Sequence, residues 1–215
     1  RSWLEEVATQ VSASDESSVL QALGYPVATV AGEEENIKLT YPKDLNRTAR
    51  RYVTGMGFDV HRFDAQRPLY LGGLHIENED GLVGHSDADV ILHALVDAIL
   101  GGLSAGDIGS HFPPSDQRYK DAPSNLFVKH TMELVRSAGA RLEHVDVTLI
   151  GERPRLTPHR DRIRAHLSDL LELTITSISL KATTTEGLGF TGRGEGLAAQ
   201  AVATLSLPVV EGESS

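Results

Sequence analysis

Hydrophobic and polar positions fall into two regimes along this chain, and the change between them lies near residues 46–52. Before it come the polar run Ser12 to Ser18, the stretch Val19 to Val30 and the acidic Gly32-Glu33-Glu34-Glu35. They offer too little apolar surface for an independent core. After it the periods become regular. Tyr52 to His61 reads as a strand in which Gly55 and Gly57 permit close backbone approach, and Leu69 to Ile76 reads as a second strand forming a hairpin with it. Ser86 or Asp87 caps a helix that runs to about Leu100. Its apolar face is Val90, Ile91, Ala94, Leu95, Ala98 and Ile99, and Gly101-Gly102 ends it. A second helix is predicted over Ser124 to Ser137 and a third from about Pro158 to Leu171. Three further strands follow from period-two alternation: Val145, Val147 and Leu149; Ile178, Leu180 and Ala182; and Leu197 through Leu205. The last is rich in Ala, so a helix is the alternative there. The pattern as a whole is α+β, a mixed β-sheet with helices packed on one face.

Composition narrows the classes. The chain has 215 residues, 40% hydrophobic and 23% charged, which suits one or two globular domains. A net charge of −10 argues against a nucleic-acid surface, which is usually basic. No apolar run approaches a membrane span, so no membrane partner is expected. There is no Cys, which excludes disulfides, thiolate metal sites and a Cys nucleophile. No secretory signal is visible, and a cytoplasmic location fits. The chain opens on Arg1 and is read as part of a longer one.

The candidate chemistry sits in two short stretches, Gly57-Phe58-Asp59-Val60-His61 and Gly84-His85-Ser86-Asp87-Ala88-Asp89-Val90-Ile91-Leu92-His93. Asp59 and His61 are two apart, so a strand points both the same way. Asp89, His93 and Asp97 are four apart, so a helix stacks them on one stripe. A single His is more often a satisfied core residue than a ligand. Three donors at two matching periods favour a metal site at Asp59, His61 and His93. Carboxylate and imidazole suit zinc, and three protein ligands leave a position open. Asp89 and Asp97 either orient the imidazole, bond to substrate hydroxyls, or form the helix's polar edge. His85 and Ser86 precede the helix, where donors suit phosphate oxygens and where a plain cap is equally at home. Asp107, in the turn Gly106-Asp107-Ile108-Gly109, reads as a polyol contact or as an ordinary turn residue. Lys181-Ala182-Thr183-Thr184-Thr185-Glu186 and the Gly-rich run after it could cradle phosphates, with Glu186 holding Mg²⁺. That run matches neither the phosphate-loop nor the dinucleotide fingerprint.

Taken in order, Gly57 to His61, Gly84 to His93, Gly106 to Phe112 and Lys181 to Gly196 resemble the 2-C-methyl-D-erythritol 2,4-cyclodiphosphate synthase family, over about Val53 to Leu207. The resemblance implies a ferredoxin-like cyclodiphosphate synthase fold and a homotrimer whose active sites are shared between neighbouring subunits. It implies zinc or a similar divalent cation on Asp59, His61 and His93, and magnesium or manganese on Glu186. Phosphate contacts fall on His85, Ser86 and Thr184, and erythritol contacts on Asp107 and Gly109. The cytidine pocket falls on Gly151, Pro154, Arg155, Leu156, Thr157, Ala182 and Thr183. Phe58, Phe190 and Arg193 would line a channel on the trimer axis that takes an isoprenoid diphosphate. The chain departs from the family pattern at Pro114 and Pro123, where carboxylates are usual, and at Arg155, where Lys is common.

The first part of the chain also carries a resemblance. Asp15 to Val19, Gly32 and Asn36 to Leu45 are similar to the C-terminal end of the cytidylyltransferase two steps earlier in the same route, with Lys38 on a catalytic lysine. The domains implied are a transferase remnant with linker at 1–50, a cyclase domain at 51–208 and a disordered tail at 209–215. The activity implied is ring closure of 4-diphosphocytidyl-2-C-methyl-D-erythritol 2-phosphate with release of CMP. The rivals are a metal-dependent phosphohydrolase and a non-catalytic trimeric scaffold.

Overall fold

The computed structural model describes residues 16–28, 30–32, 49–113 and 115–209. The chain divides into two compact units, 1–42 and 43–215. In the first, helix α1 spans Glu16–Ala22. Asp15, Asn36 to Leu45 with Lys38, Pro114 and residues 210–215 lie outside the described residues.

The second unit is built on one five-stranded sheet of order β2-β1-β5-β3-β4. Its strands are β1 (Arg50–Leu71), β2 (Leu74–Leu82), β3 (Arg141–Ile150), β4 (Ile178–Thr183) and β5 (Gly196–Pro208). Only β3 and β4 run parallel; the other pairs are antiparallel. The helices are α2 (Val90–Gly102), α3 (Ile108–His111), α4 (Asn125–Ser137), α5 (Arg160–Leu171) and α6 (Gly189–Gly192). This is the expected α+β arrangement, and the Ala-rich segment is a strand. Its alanines have a packing reason. Ala199, Ala201 and Ala203 are fully buried, and α2 packs on β5 and β1. Small side chains let the helix sit close. On β1 the approach is closer still: a Cβ at Gly55 would overlap the backbone of Ala98 and Gly102, and one at Gly57 that of Ala94 and Ala98. Ile91, Leu92, Leu95 and Ile99 of α2 are completely buried, each worth about 1.5–3 kcal/mol of transfer free energy. On the other face of the sheet, Tyr52, Met56, Phe58 and Val60 of β1 are exposed among the described residues.

Two sequence expectations are corrected. The strand predicted over Leu69–Ile76 straddles a turn: β1 continues to Leu71, and Leu71 pairs directly with Leu74. Gly72 (φ 59°) and Gly73 (φ 83°) make the two-residue loop, which needs positive φ at both positions. β1 reaches that far because register shifts between Asp64 and Leu69 absorb its polar middle. The start of α2 is also later than expected. Its cap is Asp89, not Ser86 or Asp87. The Asp89 carboxylate accepts from the amides of Ile91 and Leu92 at 3.1 Å, and from those of Gly72 at 2.9 Å and Gly73 at 2.6 Å. The hairpin turn thus selects the cap, and the helix runs on through Gly101-Gly102 rather than stopping before them.

Candidate active site

Packing at Gly55 and Gly57 presses α2 against β1 and brings His93 beside the middle of the strand, where Asp59 and His61 stand. His61 Nε2 lies 2.9 Å from Asp59 Oδ2, His93 Nδ1 lies 3.0 Å from the same oxygen, and the two ring nitrogens are 3.1 Å apart. One oxygen and two nitrogens therefore form a near-equilateral triangle. A four-coordinate ion with bonds of about 2.0–2.1 Å spaces its ligands roughly 3.3 Å apart, so small rotations seat a divalent cation on these three residues. The donor chemistry and the spacing both fit. Electrostatics agree. Burial works to raise the Asp59 carboxyl, but hydrogen bonds from His61 and His93 outweigh it and hold it well below the ordinary range. Burial works to lower His61, and the Asp59 carboxylate overrides it, raising the imidazole above 6.5. Without a cation, His61 thus holds its proton to higher pH than an ordinary imidazole. Proton and metal compete, so metal affinity should fall as pH drops through a midpoint above 6.5, readable by metal titration across pH.

The other edge of His93 is fixed by partners that the sequence does not reveal. Ring atom Nε2 lies 2.9 Å from Ser124 Oγ and 3.1 Å from Ser86 Oγ. Ser124 in turn donates its hydroxyl to Asp87 Oδ1 and its amide to Asp87 Oδ2 at 2.9 Å. With the Ser124 proton committed to Asp87, its oxygen accepts from Nε2–H; with a cation bound, Nδ1 would then give up its proton and offer its lone pair to the ion. Ser124 is legible in the sequence only as a helix start; nothing local ties it to His93. Ser124→Ala should weaken metal binding about 10- to 100-fold with the fold retained, measured by competition with a chelator.

The remaining predicted residues divide. Asp89 is the helix cap described above, and neither imidazole orienter nor polar edge. Asp97 accepts from the Ile108 amide at 2.7 Å and so holds the start of α3; burial, with Asp107 and Asp59 nearby, pushes its carboxyl upward. Asp107 caps α3 by accepting from the Ser110 amide at 2.8 Å and hydroxyl at 2.6 Å, and Gly109 lies within that turn. The loop bearing His85 and Ser86 is braced by Arg67, which donates to the carbonyls of Gly84 at 2.7 Å and of Ser86. Ser86 is buried against His93, and His85 Nε2 is buried with no hydrogen-bond partner among the described residues.

At the C-terminal ends of β3 and β4, a cavity of about 210 Å³ is lined by Gly151, Pro154, Arg155, Leu156, Thr157, Ala182 and Thr183, together with Glu152, Arg160 and Thr184. The Thr184 hydroxyl donates to Glu186 at 2.9 Å, and Glu186 is exposed in the left-handed region at φ 53°. Glu152 reaches across to the amides of Thr185 and Gly187 at 3.3 and 3.4 Å. Phe190 lies in α6, and Arg193 after it pairs with Glu195 at 2.7 Å. Among the described residues, the side chains of Thr184 and Glu186 bond to each other and not to the metal triad.

Comparisons with known proteins agree on one assignment. The model of the YgbB family matches residues 52–206. A protein named bifunctional enzyme IspD/IspF from Erythrobacter litoralis is 51% identical over 193 residues, which cover 90% of this chain and 50% of that protein. The chain spans about half the length of the curated relatives it matches. Among solved structures, bifunctional IspDF from Campylobacter jejuni aligns with a TM-score of 0.72 at 38% identity, over 91% of this chain and 55% of that one. A 2C-methyl-D-erythritol-2,4-cyclodiphosphate synthase in its CDP-bound form aligns with a TM-score of 0.66 at 40% identity, over 71% of this chain and 99% of that one.

Proposed function

The chain belongs to the YgbB family, and on that basis we propose that it converts 4-diphosphocytidyl-2-C-methyl-D-erythritol 2-phosphate to 2-C-methyl-D-erythritol 2,4-cyclodiphosphate and CMP. An oxygen of the 2-phosphate attacks the β-phosphorus. The new P–O bond closes the ring, the bond from that phosphorus to the bridging oxygen breaks, and CMP departs with the electron pair. The nucleophile is already ionised, so no side chain need abstract a proton. Positioning and charge neutralisation carry the rate.

The observation that carries this reading is the Asp59–His61–His93 triangle, with edges of 2.9–3.1 Å. In this reading these residues hold zinc and Glu186 holds magnesium or manganese. When bound, such ions polarise phosphate oxygens and neutralise the diphosphate. His85, whose Nε2 has no partner among the described residues, donates to a phosphate oxygen with Ser86, while Thr184 takes the diphosphate. Asp107 and Gly109 position the erythritol. The cavity of Gly151, Pro154, Arg155, Leu156, Thr157, Ala182 and Thr183 takes the cytidine.

Assembly follows from the same reading. The exposed Tyr52, Met56, Phe58 and Val60 favour a homotrimer that covers this sheet face and completes each active site from two chains. Phe190 and Arg193 then face a trimer-axis channel suited to an isoprenoid diphosphate. Residues 1–50 are read as the end of a cytidylyltransferase with its linker, 51–208 as the cyclase and 209–215 as a tail. The whole protein then carries both activities in the cytoplasm. The test is incubation with the substrate, zinc and magnesium. A cyclic diphosphate appearing in step with CMP supports the assignment. A linear phosphate product points to a hydrolase, and no turnover by a metal-loaded trimer points to a scaffold.

A further inference from the structure

We infer that Arg153 is a positioning residue for nucleotide binding: it struts the loop that lines the nucleotide cavity against the strand that carries two of the metal donors. The inference rests on the nucleotide reading of that cavity. Gly151 and Arg155 line the cavity, but Arg153 between them does not. Its guanidinium instead lies over the Phe63 ring, 4.2 Å from the centroid. It also donates to Asp80 Oδ2 at 2.7 Å and approaches Glu79 at 3.8 Å. Phe63 stands two residues beyond His61 on β1, and Asp80 is on β2.

Backbone bonds tie the loop at its ends, Gly151 to the Thr183 carbonyl at 3.0 Å and Arg160 to the Leu156 carbonyl at 2.9 Å. Arg153 adds a side-chain tie between them, to the β1–β2 hairpin. A planar cation held by a carboxylate on one side and an aromatic face on another has little rotational freedom. Its neighbours Pro154 and Arg155 inherit that fixed position. Arg153 touches no part of the cavity, so its influence on a nucleotide must pass through the loop.

The probe is CDP, titrated calorimetrically into the full metal-loaded chain, alongside steady-state kinetics and thermal melting. Arg153→Ala should weaken CDP binding about ten-fold and raise KM by a similar factor with kcat within about two-fold, the signature of lost uniform binding. Metal affinity and Tm should change little. Arg153→Lys should restore part of the affinity, because it keeps the charge beside Asp80 but not the flat stack. Asp80→Asn should give a smaller loss, and the double variant should be no worse than Arg153→Ala alone. CDP affinity in Arg153→Ala within about two-fold of wild type, or fully additive effects in the double variant, overturns the strut. If Arg153→Ala fails to fold, Asp80→Asn decides: weaker CDP binding supports the strut and unchanged binding overturns it. A wild-type chain that binds no CDP removes the nucleotide reading itself, and the strut falls with it.

Discussion

Replacing His93 with alanine should abolish cyclase turnover and strip the chain of its tightly held metal, while the fold survives. The Asp59 oxygen and the His61 nitrogen would remain 2.9 Å apart, but two donors on one strand do not enclose an ion. Loss of a partner that merely orients a ligand costs about 10- to 100-fold, so loss of the ligand itself should exceed that range. The helix should hold because Ile91, Leu92, Leu95 and Ile99 are completely buried beside His93 and keep their contacts. Paired measurements decide it: metal content after dialysis, CMP release, and the far-UV spectrum. Near-normal CMP release from a metal-free His93→Ala chain would sink the assignment.

Gly57→Ala should damage stability and metal binding together. Its Cβ would collide with backbone of Ala94 and Ala98, which cannot rotate away. Either α2 lifts or β1 bends, at a cost of about 1–3 kcal/mol or more, which for a chain of this size lowers Tm by roughly 2–4 °C per kcal/mol. Because α2 carries His93 and β1 carries Asp59 and His61, the same displacement opens the donor triangle. Metal affinity should therefore fall further than the stability loss alone explains. Gly101→Ala is the matched control. A Cβ there meets neighbours only at 3.9 Å, and removing a helical glycine should raise stability by about 0.5–1 kcal/mol. Similar melting losses in both variants would refute close packing at Gly57 as the cause.

What the sequence discloses follows from period. Asp59 and His61 at spacing two need only a strand, and His93 needs only a helix, so the triad is legible from spacing alone. The helix boundary is not legible in the same way. Ser86, Asp87 and Asp89 are all good caps, and the choice is made by the amides of Gly72 and Gly73, which lie far back in the chain. Ser124 and Arg153 escape a reading of the sequence for a related reason. Each acts on an element distant in sequence, His93 in one case and Phe63 with Asp80 in the other, and no local pattern announces a partner across the fold. The loop from Gly151 to Thr157 is a surface turn by its residues alone; only resemblance gives it a role in binding a nucleotide.

The Asp89 carboxylate has one more implication. It is wholly buried and accepts from four amides drawn from two elements. Neither element can fray without stranding it in a medium that cannot solvate it. The amide protons of Gly72, Gly73, Ile91 and Leu92 should therefore show one shared opening free energy in deuterium exchange, as a single event, although the pairs stand far apart along the chain.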